Sequence, residues 1–189
     1  MRSDLWYALK VRPRFERVAA AHLRSRGYDP FLATYISKRQ WSDRIKSLEL
    51  PLFPGYLFCQ LDLRSRLPVL TAPGVNYIVG VGRAPEAVPQ QEIESIRTIV
   101  SSGLYYEPFP YLNVGQLVRV EQGSLVGLIG CVVDVKNTSR LIISINLLMR
   151  SVSAEIDRSW VRPIDSVSYR EHFRVQAAAH NMGSRLPVT

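Results

Sequence analysis

The chain has 189 residues, 47% of them hydrophobic and 21% charged, with a formal net charge of +8 and a pI of about 9.8. These values are typical of a globular protein of one large or two small domains, and they exclude a disordered or fibrous chain. The basic charge predicts a polyanionic neighbour, but composition alone does not distinguish DNA, RNA and a membrane surface. No apolar run approaches membrane-spanning length, so we expect a cytoplasmic protein.

The first hundred residues predict alternating strands and helices. The pattern favours a strand at residues 6–11, a helix at 14–26, strands at 31–40, 56–61 and 75–79, a short helix near 64–72 and a helix at 91–100. Gly27 is expected to end the first helix. This order, β-α-β-β-(α)-β-α, predicts an α+β domain in which helices pack on an antiparallel sheet.

The first helix is predicted to have an apolar and a basic face. Helical spacing separates an apolar set from a set of arginines: Phe15, Val18, Ala19, His22 and Leu23 against Arg14, Arg17 and Arg24. Residues 10–46 contain ten Lys/Arg and three Asp/Glu. We therefore interpret these arginines, with Arg12 before them, as a phosphate-facing stripe, the alternative being an ordinary solvated helix face.

Residues 53–61 are expected to form the central feature of the first half. Pro54-Gly55 predicts a type II turn, because proline presets φ at its first central position and glycine accepts φ > 0 at the second. Alternation in the following strand places Tyr56 and Phe58 opposite the core-facing set, which is Leu57, Cys59 and Leu61. One interpretation is an aromatic patch, including Phe53, that faces a partner. The alternative is a strand buried on both faces.

The second half has a different pattern. Residues 104–111 contain two prolines among aromatic residues and predict a linker. Short strands predicted at 116–121, 128–135, 141–148, 152–156 and 160–162 indicate a small all-β barrel over residues 112–165. In the third of these strands, alternation places Ile142, Ser144, Asn146 and Leu148 outward. Residues 166–189 show no strong pattern and predict a flexible tail.

The sequence carries no recognisable catalytic or metal-binding motif. Cys59 and Cys131 lie apart in apolar runs, which favours reduced, packed thiols in a cytosolic protein. The three histidines have no metal-ligand spacing with them, and no nucleotide fingerprint or nucleophile elbow is present. We therefore expect a binding protein without cofactor or metal rather than an enzyme.

Taken together, these segments resemble the NusG family of transcription elongation factors. Trp6-Tyr7, Leu52-Phe-Pro-Gly-Tyr56, Pro73-Gly-Val75 and the Glu92–Val100 helix are similar to the family's N-terminal domain. Gly115-x-x-Val118-x-Val120-x-x-Gly123-x-x-x-Gly127-x-x-Gly130 is similar to its KOW motif, which belongs to a small SH3-like β-barrel. The resemblance extends from Trp6 to about Pro163.

The resemblance implies a mechanism and a set of partners. The N-terminal domain would bind the clamp helices of the largest RNA polymerase subunit through Phe53, Pro54, Tyr56 and Phe58. The basic face would lie near upstream and non-template DNA. The KOW barrel, through Ile142 and Leu148, would recruit a small-subunit ribosomal protein (NusE) or the termination factor Rho. Such a factor suppresses pausing and termination, and the family analogy favours a monomer.

Departures from the general pattern favour a specialised member. Arg12-Pro-Arg-Phe-Glu16 replaces the Ser-Gly-Tyr/Phe-Glu turn of housekeeping members, and Trp41-Ser-Asp-Arg44 occupies the hairpin tip. These features are similar to the UpxY and RfaH types, which act in long operons such as polysaccharide gene clusters. Ser65-Arg66-Leu67 stands where RfaH has a His-Thr-Thr segment, so contact with the opposite wall of the polymerase cleft is not implied.

Three alternatives remain open from the sequence. RfaH-type barrels also refold into a helical hairpin, but the branched residues of Leu141–Leu148 favour strands here. A general NusG factor linked to Rho is the second alternative. A KOW-type protein that binds RNA or the ribosome is the third.

Overall fold

The computed structural model describes residues 5–41, 44–82, 84–111, 116–135 and 138–164. The predicted tail and part of the predicted hairpin tip, residues 42–43, lie outside this part of the chain. In chain order the strands are β1 (Leu5–Val11), β2 (Pro30–Phe31), β3 (Thr34–Trp41), β4 (Arg44–Pro51), β5 (Tyr56–Leu61), β6 (Val75–Ile78), β7 (Gly80–Val81), β8 (Ala84–Pro85), β9 (Ala87–Val88), β10 (Tyr106–Phe109), β11 (Gln116–Val120), β12 (Ile129–Val135), β13 (Thr138–Ile145), β14 (Arg150–Glu155) and β15 (Val161–Pro163). The helices are α1 (Glu16–Ser25), α2 (Leu67–Leu70) and α3 (Gln90–Ser101), with 3-10 turns at Leu63–Ser65, Asn146–Leu148 and Arg158–Trp160. The expected α+β class is confirmed.

The N-terminal sheet is built around β1. Its strands follow the order β2-β5-β1-β6, and β9 also pairs with β1. Each of these strand pairs is antiparallel. The hairpin of β3 and β4 forms a separate two-stranded ribbon, as does the pair of β7 and β8. The predicted strands at 6–11 and 56–61 are confirmed, and these two strands pair along most of their length.

One face of this sheet packs against α1 and α2. The buried cluster on this face joins Leu9, Leu57 and Cys59 of the strands to Ala19 and Leu23 of α1. The predicted apolar face of α1 is partly wrong, because its buried residues are Glu16, Ala19, Ala20 and Leu23, whereas Phe15 and Val18 are exposed. The buried face instead begins with Glu16, a charged residue whose carboxylate accepts a hydrogen bond from the Gly55 amide.

The other face of the N-terminal sheet packs against α3. Trp6, Ala8 and Phe58 share a buried cluster with Ile93 and Ile96 of this helix. The predicted helix at 91–100 is confirmed with slightly wider bounds. α3 also packs against β13 of the second sheet. It therefore lies between the two halves of the molecule.

The C-terminal sheet has six antiparallel strands in the order β10-β14-β13-β12-β11-β15. Residues 106–109, inside the segment predicted as a linker, form β10 and pair with the edge of β14. Residues 138–145 form a strand rather than a helix, so the predicted β state of this region is confirmed. Most of the buried apolar side chains of this sheet, among them Val118, Leu141 and Val152, belong to the same continuous cluster as Trp6 and Phe58.

Candidate functional site

The predicted turn at residues 53–56 is present and is fixed by three hydrogen bonds. The Tyr56 amide donates to the Phe53 carbonyl at 3.0 Å, and Gly55 has φ of +80°. The Gly55 carbonyl accepts from the Val11 amide at 2.9 Å. The Gly55 amide donates to Oε1 of the buried Glu16 at 2.8 Å. Glu16 is therefore the residue that joins the start of α1 to this turn, a role that the sequence reasoning missed.

The aromatic residues of this stretch are packed inside the molecule. Phe53 and Phe58 are 2% and 1% exposed, and their rings meet edge to face with centroids 5.5 Å apart. Phe31 adds a third ring, 6.2 Å from that of Phe58. Tyr56 is half-buried, and Pro54 is exposed on the turn. The expectation of a solvent-facing patch is wrong for Phe53 and Phe58 in this structure, and the alternative of a strand buried on both faces holds.

Arg97 of α3 covers the edge of this aromatic group. Its guanidinium carbon lies 4.8 Å from the ring centroid of Trp6 and 5.0 Å from that of Phe31. A salt bridge of 3.6 Å to Asp29 holds it there. A cation over a ring face is attracted by the ring quadrupole and also excludes water from its surface. No local sequence pattern pairs residues this far apart, so the sequence did not indicate this contact.

The four candidate arginines do not form one stripe. Arg17 pairs with Glu49 at 2.7 Å, and Arg24 donates to the Pro30 carbonyl at 3.4 Å. Arg12 and Arg14 lie instead on the exposed turn before α1. The prediction of a single helix face is therefore wrong, because α1 begins at Glu16 and leaves Arg14 outside it. The pairing with Glu49 also lowers the pKa of that carboxyl, mainly through its hydrogen bond with Arg17.

Three turns of the same design meet at one end of the N-terminal sheet. They span residues 12–15, 53–56 and 72–75, and in each the fourth amide donates to the first carbonyl. Each has proline at the second position and a residue with positive φ at the third, namely Arg14 at +70°, Gly55 at +80° and Gly74 at +84°. The Arg12 amide donates to the Gly74 carbonyl at 2.8 Å, which ties the first turn to the third. Arg14 thus occupies a position that favours glycine.

The contact between α3 and the C-terminal sheet includes polar residues beside the continuous hydrophobic cluster. Asn146 donates to the carboxylate of Glu92 twice, from Nδ2 at 2.7 Å and from its backbone amide at 3.3 Å. Burial raises the pKa of the Glu92 carboxyl, and the two bonds from Asn146 partly oppose that shift. Ser95 is buried one turn further along the helix. The sequence reasoning identified none of these residues as an interdomain contact.

The structure also decides the exposure of the candidate partner residues Ile142, on β13, and Leu148, in the 3-10 turn that follows it. Ile142 and Leu148 are 2% and 8% exposed, so the expectation that both face solvent is wrong. The neighbouring Ser151 and Ser153 of β14 are buried as well. Leu148 belongs to the hydrophobic cluster that includes Ile93 and Ile96 of α3, whereas Ile142 lies opposite the buried Ser153 of β14. Strand alternation could not show the burial of Leu148, because the strand ends at Ile145 and the helix in the same cluster comes from the other half of the chain.

A second link between the halves runs through β10. The Tyr106 hydroxyl donates to the Thr34 carbonyl at 3.0 Å, at the base of the β3–β4 hairpin. On the next residue, Glu107 forms an ion pair with Arg140 of β13. The strand β10 therefore contacts the N-terminal ribbon with one side chain and the C-terminal sheet with the next.

The described residues show no group that could hold a metal. Among them, no three His, Cys, Asp or Glu side chains converge on a possible ion site. Over the same part of the chain, no helix has the length and apolar character needed to cross a lipid bilayer.

An open groove beside α2 is lined by Leu63, Arg64, Arg66, Leu67 and Leu70. It includes the segment that the resemblance compares with the RfaH His-Thr-Thr motif.

Comparison with known proteins identifies relatives over most of the chain. Residues 4–97 match the family model described as "Transcription termination factor nusG". The transcription termination/antitermination protein NusG of Helicobacter pylori strain J99 is 25% identical over 176 residues, which is 84% of this chain and 98% of the relative. The corresponding protein of Helicobacter pylori strain 26695 matches with the same identity and coverage.

A solved structure shares the fold. The structure described as "Domain interaction in Thermotoga maritima NusG" superposes with a TM-score of 0.50 and 19% identity, covering 86% of this chain and 98% of that one. The chain belongs to the NusG family.

Proposed function

We propose that the protein is a transcription elongation factor that binds RNA polymerase and suppresses pausing and termination, in the manner of a specialised antiterminator. The observation that carries this is the family match over residues 4–97, which includes the 53–56 turn and most of α3. The clamp helices of the largest polymerase subunit are the proposed partner of Phe53, Pro54, Tyr56 and Phe58. In this proposal the protein acts by binding alone and catalyses no reaction.

We assign the halves of the chain to two domains. Residues 1–103 form the polymerase-binding domain, residues 104–111 the connection and residues 112–165 a KOW barrel of the SH3-like type, with residues 166–189 as a tail. Five short antiparallel strands, β11 to β15, support the second domain. Within the connection, β10 adds to the edge of β14, so its free length is shorter than the sequence predicts.

Phe53 and Phe58 are buried, so binding of polymerase by their rings requires the residues that cover them, among which we propose those of the C-terminal sheet, to move away. Both rings are buried in the cluster that continues into the C-terminal sheet. The contact between α3 and this sheet contains the polar residues Glu92, Ser95 and Asn146. Polar contacts of this kind are typical of interfaces that open, because their groups regain hydrogen bonds from water. Polymerase would then select the separated form from a population of two states.

Separation would also uncover the candidate surface for the second partner. Ile142 lies on β13, against which α3 packs, and Leu148 lies in the 3-10 turn that follows, in the hydrophobic cluster that also contains residues of α3. A small-subunit ribosomal protein (NusE) or Rho would use the side of the sheet that α3 leaves. Occupation of one surface and exposure of the other are then coupled, since each partner binds only the open form.

DNA contact is proposed for Arg12 and Arg14, with Arg17 and Arg24 as weaker candidates. The first two are exposed and make no salt bridge with any residue that the structure describes. Arg17 is already paired with Glu49, and Arg24 donates to a carbonyl of its own domain. Upstream and non-template DNA of the transcription bubble is the proposed partner of this end of the sheet.

The test is single-round transcription by purified RNA polymerase on a template with a pause site and a terminator. We expect the protein to shorten the pause and to increase read-through. Unchanged pausing and termination at a saturating concentration of the protein would contradict the proposal. The variant Phe53→Ala, checked for an intact fold by circular dichroism, should no longer shorten the pause or increase read-through if the aromatic patch of Phe53, Tyr56 and Phe58 binds polymerase.

A general NusG function linked to Rho is the second candidate. It is favoured by the match to 98% of the length of relatives that carry the NusG name. The Arg12-Pro-Arg-Phe-Glu16 turn favours the specialised function, including action on long operons such as polysaccharide gene clusters. Adding Rho to the same transcription assay separates the two. Increased Rho-dependent termination supports the general factor, and protection from Rho supports the specialised one.

A further inference from the structure

The segment that connects the two halves is bound to the C-terminal sheet over most of its length. β10 pairs with β14 at four successive residues. Just before β10, the Tyr105 carbonyl accepts from the Glu155 amide at 2.9 Å. Just after β10, the Tyr111 hydroxyl donates to Oδ1 of Asn146 at 3.2 Å. Backbone and side-chain contacts therefore tie residues 105–111 to the C-terminal half.

A largely enclosed arginine holds β10 in place through its side chains. Arg140 of β13 forms an ion pair with Glu107 of β10, and its own side chain is only 15% exposed. The same guanidinium donates to Oγ of Ser153 at 3.3 Å and lies 3.8 Å from the carboxylate of Glu155. Removal of β10 would take away the partner of a charge that water barely reaches, which is unfavourable. β10 is thus fixed to β13 and β14 by charge as well as by strand pairing.

The contact of β10 with the N-terminal half is easier to replace. The Tyr106 hydroxyl donates to the Thr34 carbonyl at 3.0 Å. When the halves separate, water can take over both ends of this bond, because a hydroxyl and a carbonyl at a newly exposed surface are solvated. The paired backbone of β10 and β14 does not need to open for this to happen. The connecting segment should therefore move with the C-terminal sheet.

The chain between α3 and Tyr105 is short and contains a glycine. Ser102 closes the helix, since its hydroxyl donates to the Ile99 carbonyl at 2.7 Å and accepts from the Leu104 amide at 3.1 Å. Gly103 has φ of +75°, and a Cβ at this position would meet no heavy atom within 4 Å. Glycine adopts both signs of φ readily, so the chain can change direction here at low cost. Hinges are commonly a few such residues at the end of an element.

We propose that residues 105–111 are an integral part of the C-terminal half and that the halves are joined by a hinge at Gly103 and Leu104. This rests on the proposed function, in which the halves separate. The C-terminal half then swings about a fixed point and does not diffuse on a flexible linker. A tether this short keeps its effective concentration beside α3 high and returns it to the docked position when a partner leaves.

Two matched insertions in the full chain distinguish this hinge from a free linker. A flexible Gly/Ser segment of about twelve residues is placed after Gly103 in one variant and after Tyr111 in the other. The first lengthens the joint between the halves, whereas the second lengthens a loop inside the C-terminal half. Hydrogen exchange of the Asn146 backbone amide, followed by NMR, reports docking because this amide donates to Glu92 of α3.

The expected results differ for the two variants. The insertion after Gly103 should speed the exchange of the Asn146 amide about 5- to 20-fold, because effective concentration falls roughly as the −3/2 power of tether length. The insertion after Tyr111 should leave it unchanged. A free linker over residues 104–111 would instead give about a 4-fold increase in both.

The Glu155 amide is the control, since it donates to the Tyr105 carbonyl and reports the pairing of β10 with β14. Its exchange should be unchanged in both variants. In the wild type, the Asn146 amide should have the lower protection factor, because separation breaks its contact and spares that of Glu155. Equal protection in the wild type would overturn the inference without any insertion.

The inference would also be overturned by equal acceleration of Asn146 exchange in the two variants, by no acceleration in either, or by faster Glu155 exchange in either. The assay contains no polymerase, so the proposed function is tested separately. Normal terminator read-through by the wild type, with equal Asn146 exchange in the two variants, would contradict the hinge alone. The expected difference in exchange, without any read-through, would contradict the proposed function alone.

Discussion

Phe58 is the largest fully buried side chain among the described residues, and it contacts elements on several sides. We expect Phe58→Ala to lower the free energy of unfolding by about 3–5 kcal/mol, because it removes a ring and leaves a cavity. Tyr56→Ala, at the half-buried edge, should cost less. Chemical denaturation of the full chain measures both. An unchanged midpoint for Phe58→Ala would show that the ring is not part of the core.

Arg14 is strained in a way that glycine would not be. Its φ of +70° costs an L-residue about 1–2 kcal/mol, and glycine removes that cost while adding about 0.4–1 kcal/mol of unfolded-chain entropy. We expect Arg14→Gly to raise the free energy of unfolding by about 0.5 kcal/mol or slightly more. Arg12→Gly, without positive φ, should lower it by a similar amount. If both variants are destabilised equally, the strain is absent.

At the residue scale, the sequence predicts local turns and strand alternation better than it predicts which side chains are exposed. It predicts the Pro54-Gly55 turn and the alternation of Leu57 and Phe58, because both depend on neighbouring residues. It does not predict the burial of Phe53 or Ile142, since the covering residues come from distant segments. Glu16 shows the same limit, because a carboxylate at a buried position makes sense only once the Gly55 amide is seen beside it.

At the scale of elements, the three proline turns fix the end of the N-terminal sheet. Glu16 is central to them because it satisfies a buried amide of the second turn. We expect Glu16→Ala to lower the free energy of unfolding by about 1–3 kcal/mol, the cost of leaving that amide without a partner. Glu16→Gln retains an acceptor oxygen and should be milder. Equal losses in the two variants, measured by denaturation, would mean that the hydrogen bond is unimportant.

The strands and helices themselves follow from local patterns. α3 is found as expected because Ile93, Ile96 and Ile99 repeat at helical spacing. The stretch 138–145 is a strand, in agreement with its branched residues. β10 was not expected, because prolines and aromatic residues at 104–111 are equally typical of a linker. Its pairing depends on the free edge of β14, which no local pattern reveals.

At the scale of the whole molecule, we expect docking of the C-terminal sheet to depend on the ionisation of Glu92. Burial raises the pKa of this carboxyl, so the docked form binds a proton more tightly than the separated form. Docking should therefore be strongest below the ordinary carboxyl pKa and should weaken as the pH rises through the raised pKa. Glu92→Gln should remove this part of the pH dependence. NMR contacts between the two halves measure this pH dependence. They are followed from about pH 4 to about pH 8, roughly the range of raised carboxyl pKa values.

The same contact allows docking to be changed in both directions without altering the aromatic face. Glu92→Gln removes a buried charge and keeps the acceptor for Asn146, so it should strengthen docking at neutral pH. Asn146→Asp places a second carboxylate beside the first and should weaken docking by charge repulsion. Neither side chain belongs to the proposed polymerase contact, Phe53 to Phe58. Both variants therefore report on access to that surface.

The most direct test of this account is the affinity of RNA polymerase for the full-length wild type, Glu92→Gln and Asn146→Asp at neutral pH. If the aromatic face binds polymerase only after the C-terminal sheet separates from α3, Asn146→Asp should bind more tightly than wild type and Glu92→Gln more weakly. The apparent affinity for polymerase is proportional to the fraction of molecules in which the C-terminal sheet is separated from α3. Equal affinities for all three folded proteins, with docking shifted as expected, would contradict the account.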